Sequence, residues 1–469
     1  MMIEDIKKKM RAIPGMDILL AQEWTLPWIE ELGRETVKRV LNGELTLIRR
    51  RMLAGEEPDI SSEALQECFQ ALLLAESRPR LRPVVNATGV VIHTNLGRSL
   101  LAEEAVSAVV RTAEGYSNLE YDLARGARGH RNAHIEGLLC ALTGAEACLV
   151  VNNNAGAVLL CLFALAHGTE VVVSRGELVE IGGSFRVPDI MEFSGATLVE
   201  VGTTNRTHLK DYSAAISDRT SMLLKVHPSN FRMEGFTAAP GRSELAALAH
   251  ERGLIFMEDA GSGLLVDGGL LGLRGECDIR TCLEEGADLV TFSGDKMLGG
   301  PQIGVIAGRK AIVDRLRGHP VLRALRVDKM TLAAFEATIR LYAKGDLDRI
   351  PTLAMLRLAP EAMRARARRL AAKLRRVTAA RVEAVTVEDT VGGGSYPAIP
   401  LSGWGVAVSA HPAGGAGHLQ MLLRGLEVPV LCGAREDALL LHVRTLSRKD
   451  EDTIAAAFAR IEVGEEGRA

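Results

Sequence analysis

The sequence predicts an α/β protein built on a mostly parallel, doubly wound sheet. Short apolar strands alternate with helical patterns in the middle of the chain, at 147–151, 170–174, 197–201, 222–226, 254–257 and 288–292. Such alternation is typical of parallel strands joined by right-handed helical crossovers. Polar residues directly follow three of these strands, and ligands of such sheets bind beyond the carboxyl ends of the strands. We therefore expect one functional site at this edge of the sheet.

The chain divides into three predicted domains. Residues 1–82 are expected to form a helical N-terminal domain, 83–345 a catalytic domain around the sheet, and 346–469 a small α/β C-terminal domain. The helices expected in the first domain are 3–13, ended by Pro14-Gly15, then 28–41, ended by Asn42-Gly43, then 44–53 and 61–75. After the sheet we expect a strand at 304–307, helices at 311–317, 332–343 and 360–377, and short strands around 405–409, 428–431 and 439–443.

Composition excludes some classes of protein. The chain has 469 residues, 47% of them hydrophobic, and a formal net charge of −3, so bulk basicity does not indicate nucleic-acid binding. Positive charges still cluster at 7–9, 49–51 and 78–82, where a solvated face and an RNA contact are both open readings. The seven cysteines show no zinc-ligand spacing, so we expect reduced, buried thiols, no metal and a cytoplasmic protein. The chain shows no signal peptide and no stretch long enough to span a membrane.

One lysine follows the last strand of the series. Lys296 comes three residues after Ser293 and is followed by Gly299, Gly300 and Pro301, which keep the chain irregular. A lysine beyond a buried strand can be held as a neutral amine, which a Schiff base requires. A surface lysine at a strand end is the alternative reading.

A carboxylate follows the preceding strand. Asp259 precedes Lys296 by 37 residues, enough for one helix and one strand. Strand, carboxylate, helix, strand and Ser-x-x-Lys is the order found in pyridoxal phosphate enzymes of the aminotransferase-like fold. There the carboxylate keeps the pyridine nitrogen protonated, and the lysine carries the aldehyde. Alone, Asp259 could equally cap a helix.

A polar turn follows the first strand. Asn153, Asn154 and Ala155 stand between the strand 147–151 and a helical pattern at 158–167. A helix that begins here would direct its N–H groups and its dipole at a phosphate. The turn is therefore expected to bind the cofactor phosphate.

Three arginines are candidates for an anion site. Arg98 follows the stretch Asn86 to Gly97, which resembles an active-site loop, and Arg323 and Arg326 are three residues apart, on one face if helical. Arginine pairs suit phosphates and other oxyanions. The arginines of the helix at 360–377 are better explained by a charged outer face.

These motifs together closely resemble bacterial selenocysteine synthases. The likeness rests on Asn86-Ala87-Thr88-Gly89 through Arg98, on Ser293-Gly294-Asp295-Lys296 through Gly304, and on Arg323 through Lys329. It covers nearly the whole chain, including the helical N-terminal segment.

The resemblance implies a fold type I pyridoxal 5'-phosphate enzyme that converts seryl-tRNA(Sec) to selenocysteinyl-tRNA(Sec) through an aminoacrylyl-tRNA, with selenophosphate as donor. It implies a ring of dimers, typically a homodecamer, whose N-terminal domain grips the tRNA. Lys296 would be the Schiff-base lysine, Asp259 the partner of the pyridine nitrogen, and Arg98, Arg323 and Arg326 the selenophosphate pocket.

Two other functions remain open from the sequence. One is a pyridoxal phosphate lyase acting on a small amino acid or an amino sugar phosphate, which would leave the N-terminal domain without a task. The other is an RNA-binding protein with a decayed cofactor fold, which the intact lysine, aspartate and arginines disfavour. Arg175 and His227 also follow strands and are candidates for stacking on the cofactor ring.

Overall fold

The computed structural model describes residues 10–181, 185–228 and 230–466. The chain forms two compact units, Met1–Pro83 and Val84–Ala469. The described part contains no helix long and apolar enough to cross a membrane, and no cluster of side chains suited to a metal ion. All seven cysteines are free thiols, as expected, although only three of them are fully buried.

The first unit is helical. Its helices are α1 (Met16–Leu20), α2 (Leu26–Leu32), α3 (Arg34–Leu53) and α4 (Ser62–Ser77). The expected helix at 61–75 is confirmed, with Ser61 as its cap. Of the helix expected at 3–13, residues 3–9 and the lysines 7–9 lie outside the described residues, and Met10 and Arg11 are helical.

The prediction that a helix ends at Asn42-Gly43 is wrong. The break lies at Gly33, which has a φ of 82°, and α3 runs through Asn42 and Gly43 without interruption. The buried side chains of α3 recur at helical spacing, at Val37, Leu41, Leu45, Ile48 and Met52. Burying this apolar stripe outweighs the roughly 1 kcal/mol that a glycine costs inside a helix.

The second unit is built on a mostly parallel sheet, as predicted, and this sheet has seven strands. Its strands are β4 (Ala147–Val151), β5 (Glu170–Ser174), β8 (Thr197–Val201), β9 (Thr220–Val226), β10 (Ile255–Gly261), β11 (Leu289–Ser293) and β12 (Gly304–Gly308), in the order β4-β12-β11-β10-β9-β5-β8. β12 is antiparallel to both of its neighbours, and every other pairing is parallel. The predicted strands agree with the observed ones within a few residues.

Both faces of this sheet are covered. Along β4, Cys148 and Val150 belong to one apolar core while Leu149 and Val151 belong to the other. Helices provide the cover because the strands are apolar on both faces. The helices of this region are α5 (Glu103–Ala113), α6 (Glu136–Thr143), α7 (Asn154–Leu165), α8 (Val187–Ser194), α9 (Leu209–Ala215), α10 (Arg242–Glu251), α11 (Ile279–Glu284), α12 (Lys310–Arg317), α13 (Val321–Ala324) and α14 (Lys329–Lys344).

A second sheet has five strands. They are β1 (Val85–Ala87), β13 (Arg381–Gly392), β14 (Ser395–Ser409), β15 (Val430–Arg435) and β16 (Ala438–His442), in the order β1-β15-β16-β14-β13. The helices α15 (Pro351–Leu356), α16 (Pro360–Leu374), α17 (Ala416–Gly425) and α18 (Arg448–Glu466) accompany it. Two-stranded ribbons form from β2 (Tyr121–Asp122) with β3 (Ala127–Arg128) and from β6 (Glu180–Ile181) with β7 (Phe185–Arg186).

This second sheet differs from the expectation in two ways. It takes β1 from the segment assigned to the catalytic domain, since Val85–Ala87 pairs in parallel with Val430–Cys432. It also contains a long hairpin of β13 and β14 where only a short strand was expected. The glycines 392–394 all have positive φ and form the hairpin tip, so the local glycine run marks a turn.

The close approach of β12 to the β4–α7 turn yields a test of this packing. A methyl group on Gly304 would lie 2.1 Å from the carbonyl oxygen of Asn153 and 2.7 Å from the Asn154 nitrogen. The backbone atoms can move away from the added methyl group only by distorting the β4–α7 turn. Gly304→Ala should therefore lower the free energy of unfolding by about 1–3 kcal/mol in denaturant titrations.

The matched control is Gly137→Ala in α6, where the added methyl meets nothing within 4 Å. This variant should be as stable as the parent, or slightly more stable. Equal unfolding midpoints for Gly304→Ala and the parent protein would contradict the described approach of the two segments.

Candidate active site

Lys296 and Asp259 lie at the carboxyl-terminal edge of two neighbouring strands, although Asp259 lies within β10, two residues before its end, and not beyond the strand as predicted. β10 and β11 run parallel with Asp259 opposite Thr291, and Lys296 follows β11 by three residues. Both side chains are buried, with Lys296 6% and Asp259 5% exposed. The structure thus brings together the lysine and the carboxylate that the sequence singled out.

Close backbone contacts hold the segment that carries Lys296. A side chain on Gly263 would lie 2.1 Å from the carbonyl oxygen of Ser293, and Gly263 has a φ of 72°. Gly294 donates its N–H to Ile303 at 2.8 Å, and Gly300 donates to Gly294 at 2.8 Å. A side chain at Gly263 would collide with the backbone of Ser293, and the segment that these contacts hold leaves Lys296 only 6% exposed.

Burial perturbs both ionisable groups. Loss of solvent lowers the pKa of Lys296, an effect that the negative charge of Asp259 partly offsets. Loss of solvent also raises the pKa of Asp259, offset by the Asn154 amide and then by the charge of Lys296. The two groups therefore feel one another's charge, and the lysine is shifted toward the neutral amine that nucleophilic chemistry requires.

The β4–α7 turn lies against the same carboxylate. Asn153 caps α7 by accepting the Gly156 N–H at 2.7 Å, and Ala155 lies in the first turn of the helix. Asn154 donates from Nδ2 to Asp259 Oδ1 at 2.8 Å. The asparagine therefore orients Asp259, a contact that its position in a presumed phosphate turn did not predict.

The residues at this site fit pyridoxal phosphate. Asp259 is 5% exposed, and the negative charge of a buried carboxylate is stabilised by a cationic partner, which a protonated ring nitrogen would supply. Asn154 Oδ1 beside it is a buried acceptor with no partner among the described residues. The first turn of α7 presents N–H groups suited to a phosphate, and Lys296 offers a buried amine for the aldehyde.

Arg98 lies next to Lys296. Its Nη1 donates to Asp295 Oδ2 at 2.7 Å, and its positive charge contributes to the lowered pKa of Lys296. The backbone of Arg98 has a φ of 64°, and such a conformation costs a non-glycine residue about 1–2 kcal/mol. Ser99 fastens the same loop to the lysine segment by donating from Oγ to the Gly300 carbonyl at 2.8 Å.

Arg323 and Arg326 line a separate, positively charged cavity of about 560 Å³. Its walls hold five arginines and one carboxylate: Arg128, Arg131, Arg317, Arg323, Arg326 and Glu120. Hydrogen bonds from Arg131 lower the pKa of Glu120, which also accepts from Arg326 at 2.8 Å. Asn152 donates to the Leu325 carbonyl at 3.0 Å and so joins this arginine segment to the β4–α7 turn.

Arg98 is not among the residues that line this arginine cavity. Within one chain, the structure therefore brings Arg323 and Arg326 together but places Arg98 with Asp295. That the three act on one anion stays a prediction.

The two ring-stacking candidates differ in environment. Arg175 is half exposed and pairs with Glu200 at 3.1 Å. The His227 side chain, directly after β9, is 16% exposed, and its backbone N–H donates to the Asp259 carbonyl at 3.0 Å. Burial lowers the pKa of His227 to about 4, with further contributions from the charges of Arg242, Lys296 and Lys225.

Sequence reasoning missed several residues near Lys296. Asp295 precedes the lysine directly, and this adjacency was the one available signal. Glu276 and Tyr396 belong to no motif, and only the fold brings them to the site, where the Tyr396 N–H donates to Glu276 Oε1.

The chain is similar to known proteins over almost its whole length. The family model described as L-seryl-tRNA selenium transferase matches residues 84–447, and the one described as selenocysteine synthase N terminal matches residues 10–49. The chain is 48% identical over 455 residues to the L-seryl-tRNA(Sec) selenium transferase of Geobacter sulfurreducens, covering 96% of this chain and 98% of that protein. The protein of the same name from Desulfomicrobium baculatum is 49% identical over 460 residues, with the same coverage.

Among solved structures, D-glucosaminate-6-phosphate ammonia-lyase is similar, with a TM-score of 0.57 and 21% identity over 81% of this chain and 96% of that one. This likeness concerns the fold. It agrees with the predicted aminotransferase-like, fold type I architecture, which is confirmed.

The lowered pKa of His227 predicts an acid-sensitive stability. The unfolded chain takes up this proton below the ordinary value of 6.5, whereas the folded protein takes it up only near 4. The contribution of His227 to the free energy of unfolding is therefore fully present above pH 6.5. It falls as the pH drops, by about 2 kcal/mol at pH 5. His227→Gln should lose less stability than the parent protein between pH 7 and pH 5 in denaturant titrations.

His418→Gln, at an exposed position of α17, provides the control and should keep the parent protein's pH profile. If His227→Gln loses as much stability as the parent between these two pH values, His227 is not buried in its neutral form.

Proposed function

This chain belongs to the L-seryl-tRNA selenium transferase family, and we propose that it converts seryl-tRNA(Sec) to selenocysteinyl-tRNA(Sec) with selenophosphate as the selenium donor. It is an enzyme, and its cofactor is pyridoxal 5'-phosphate. The observation that carries the proposal is similarity at 46–49% identity over almost the full length of both chains, joined to a buried lysine–aspartate pair.

Lys296 is the base of the reaction in this proposal. When bound, pyridoxal phosphate supplies a ring that accepts the electrons left at Cα when a proton departs. Asp259 would stabilise the positive charge on the ring nitrogen, and Asn154 orients that carboxylate through the 2.8 Å hydrogen bond. The lowered pKa of Lys296 favours a free amine that can take the Cα proton of serine and later return it.

The cofactor phosphate is assigned to the first turn of α7. Asn153, Asn154 and Ala155 form this turn, and Asn153 fixes it by capping the helix. Ser293 is assigned to the cofactor site because it ends β11, three residues before Lys296. The N–H groups and the dipole of the helix favour a dianion at this position.

The arginines are assigned to the selenium donor. Arg323 and Arg326 line a cavity with five guanidinium groups and one carboxylate, a charge excess that suits a phosphate-bearing anion. Arg98 adds a positive charge beside Lys296, where the donor must deliver selenium. Because Arg98 does not line the arginine cavity of its own chain, we propose that it joins the pair from a second subunit.

Assembly and tRNA contact also belong to the proposal. We infer a homo-oligomer, a ring of dimers such as a decamer, in which residues 1–82 bind the tRNA, residues 83–345 carry the chemistry and residues 346–469 form the small domain. The match of residues 10–49 to the selenocysteine synthase N-terminal family supports the first assignment. A cytoplasmic location follows from a substrate charged on tRNA.

The direct test is incubation of the purified protein with seryl-tRNA(Sec) and selenophosphate, followed by mass spectrometry of the amino acid released from the tRNA. Selenocysteine is the expected product. Arg323→Ala should reduce its formation at least tenfold at low donor concentration, since one charge-assisted anion contact contributes about 1.5–3 kcal/mol. Saturating selenophosphate should recover part of the lost rate.

The matched control is Arg435→Ala, an exposed arginine at the end of β15. It should form selenocysteine at the parent rate. If the parent protein leaves the serine unchanged but releases ammonia from a small amino acid or an amino sugar phosphate, the lyase function replaces this one.

A further inference from the structure

Three polar side chains with no role in the functions assigned above line one cavity near the active site, where the His227 N–H donates to the Asp259 carbonyl at 3.0 Å and the charge of Lys296 acts on His227 and Glu276. His227 follows β9, Glu276 precedes α11, and Tyr396 is the second residue of β14. We name them the Glu276 cluster. Because three distant segments of the chain supply its members, the cluster is a product of the tertiary fold.

The cluster contains polar atoms without partners. The Glu276 side chain is 4% exposed, its Oε1 accepts the Tyr396 N–H, and His227 Nε2 lies 3.9 Å from that oxygen. Among the described residues, Glu276 Oε2, His227 Nδ1 and Tyr396 Oη have no hydrogen-bond partner. Folded proteins rarely leave such groups unpaired, and all three residues line a cavity of about 330 Å³. The unpaired atoms therefore point to a ligand in this cavity.

The backbone of Tyr396 adopts a strained conformation that positions Glu276. Tyr396 has a φ of 49°, which places its N–H on Glu276 Oε1 and leaves Oε2 free. Burial raises the pKa of Glu276, an effect that polar neighbours and the charge of Lys296 partly offset. Arg232 and Arg274 line the same cavity, but both are largely exposed to solvent. The carboxyl group is thus shifted toward its protonated form.

The reaction proposed above needs a proton donor at this place, and the inference rests on that function. The serine hydroxyl is two bonds from Cα, whose proton Lys296 takes, so its proton donor must lie close to the Lys296 amine. Hydroxide is a poor leaving group, and a positioned acid typically accelerates such a departure about 10²–10⁴-fold.

Other charged groups near Lys296 are unsuited to this task. Asp259 is committed to Asn154 and the ring nitrogen, and Asp295 is paired with Arg98, whose guanidinium does not give up its proton. His227 has a pKa of about 4 and carries no surplus proton at neutral pH. Among the groups whose charges act most on Lys296, Glu276 is therefore the remaining candidate for the proton donor.

We propose that Glu276 is the acid that protonates the serine hydroxyl as it leaves, held in position by a hydrogen bond from the Tyr396 N–H. The Cβ–O bond breaks with its electron pair on oxygen, which takes the Glu276 proton and departs as water. The electrons of the Cα–H bond form the new Cα–Cβ double bond, and Lys296 keeps the Cα proton. Glu276 regains a proton from solvent through the cavity.

The test separates the step of Lys296 from the step of Glu276. Full-length protein with its cofactor is incubated in D₂O with seryl-tRNA(Sec) and no selenium donor. The amino acid is then released from the tRNA and its mass is measured by mass spectrometry. Glu276→Gln should still exchange the Cα proton, so that deuterated serine accumulates, while dehydration, measured as pyruvate, falls about 10²–10⁴-fold. Glu276→Asp keeps an acid and should dehydrate faster than Glu276→Gln.

The matched control is Glu383→Gln on β13, half exposed and nine residues from Gly392 at the hairpin tip, a distance of roughly 30 Å along a strand. It should exchange and dehydrate like the parent. Dehydration by Glu276→Gln at the parent rate, or equal loss of exchange and dehydration, overturns the assignment. A parent protein that neither exchanges nor dehydrates overturns the proposed function itself.

A second measurement does not depend on activity. Burial raises the pKa of Glu276 in the folded protein. The stabilising contribution of the protonated Glu276 side chain is therefore fully present below its ordinary pKa of 4.5, and it is lost as the pH rises through the pKa of the folded protein. The melting temperature of Glu276→Gln minus that of the parent should therefore increase from pH 4.5 to pH 8. His227, Lys296, Tyr396, Arg232 and Arg274 face Glu276 in both proteins, so their titration largely cancels. A flat difference contradicts the buried acid.

Discussion

The active site depends on the burial of two opposite charges, Lys296 and Asp259, at one edge of a parallel sheet. Removing either group from water is costly, and the cost appears as a lowered pKa for the amine and a raised pKa for the carboxyl. Each charge partly offsets the shift of the other. The fold therefore maintains an amine that is shifted toward its free form and an acid that demands a cationic partner, which are the two properties that pyridoxal phosphate chemistry needs.

The sheet supplies this arrangement through its topology. β10 and β11 are parallel neighbours, so Asp259 near the end of β10 and Lys296 just after β11 lie at the same edge. The antiparallel β12 lies between β11 and β4 and places the β4–α7 turn at that edge too. Asn154 thereby reaches Asp259 across 105 residues of sequence. Gly263 and Gly304 permit close backbone approaches at this edge that any side chain would block.

Much of this could be predicted from the sequence, because the strands of a buried parallel sheet are short apolar runs with recognisable ends. Lys296, Asp259 and the β4–α7 turn are local signals of that kind. The continuity of α3 through Asn42-Gly43 was missed, since the apolar stripe outweighs the local turn signal. The hairpin of β13 and β14 was underestimated, although alternating exposure along β13 is its signature.

The rest of the site arises from tertiary contacts that no local pattern encodes. Asn154 had the sequence context of a phosphate ligand, and the fold gives it a carboxylate to orient as well. Arg98 and the pair Arg323 and Arg326 resemble one anion site in sequence, yet in one chain they have different neighbours. Glu276 and Tyr396 come from unrelated segments, and their contact depends on how the hairpin tip packs near the strand ends.

The account rests on a covalent bond between Lys296 and the aldehyde of the cofactor. Reduction of the native protein with borohydride would fix that bond, and digestion followed by mass spectrometry would locate it. The phosphopyridoxyl group should appear on the peptide that contains Lys296. Its appearance on another lysine, such as Lys225, which is mostly buried and paired with Glu177, would contradict the account, as would a protein that takes up no label.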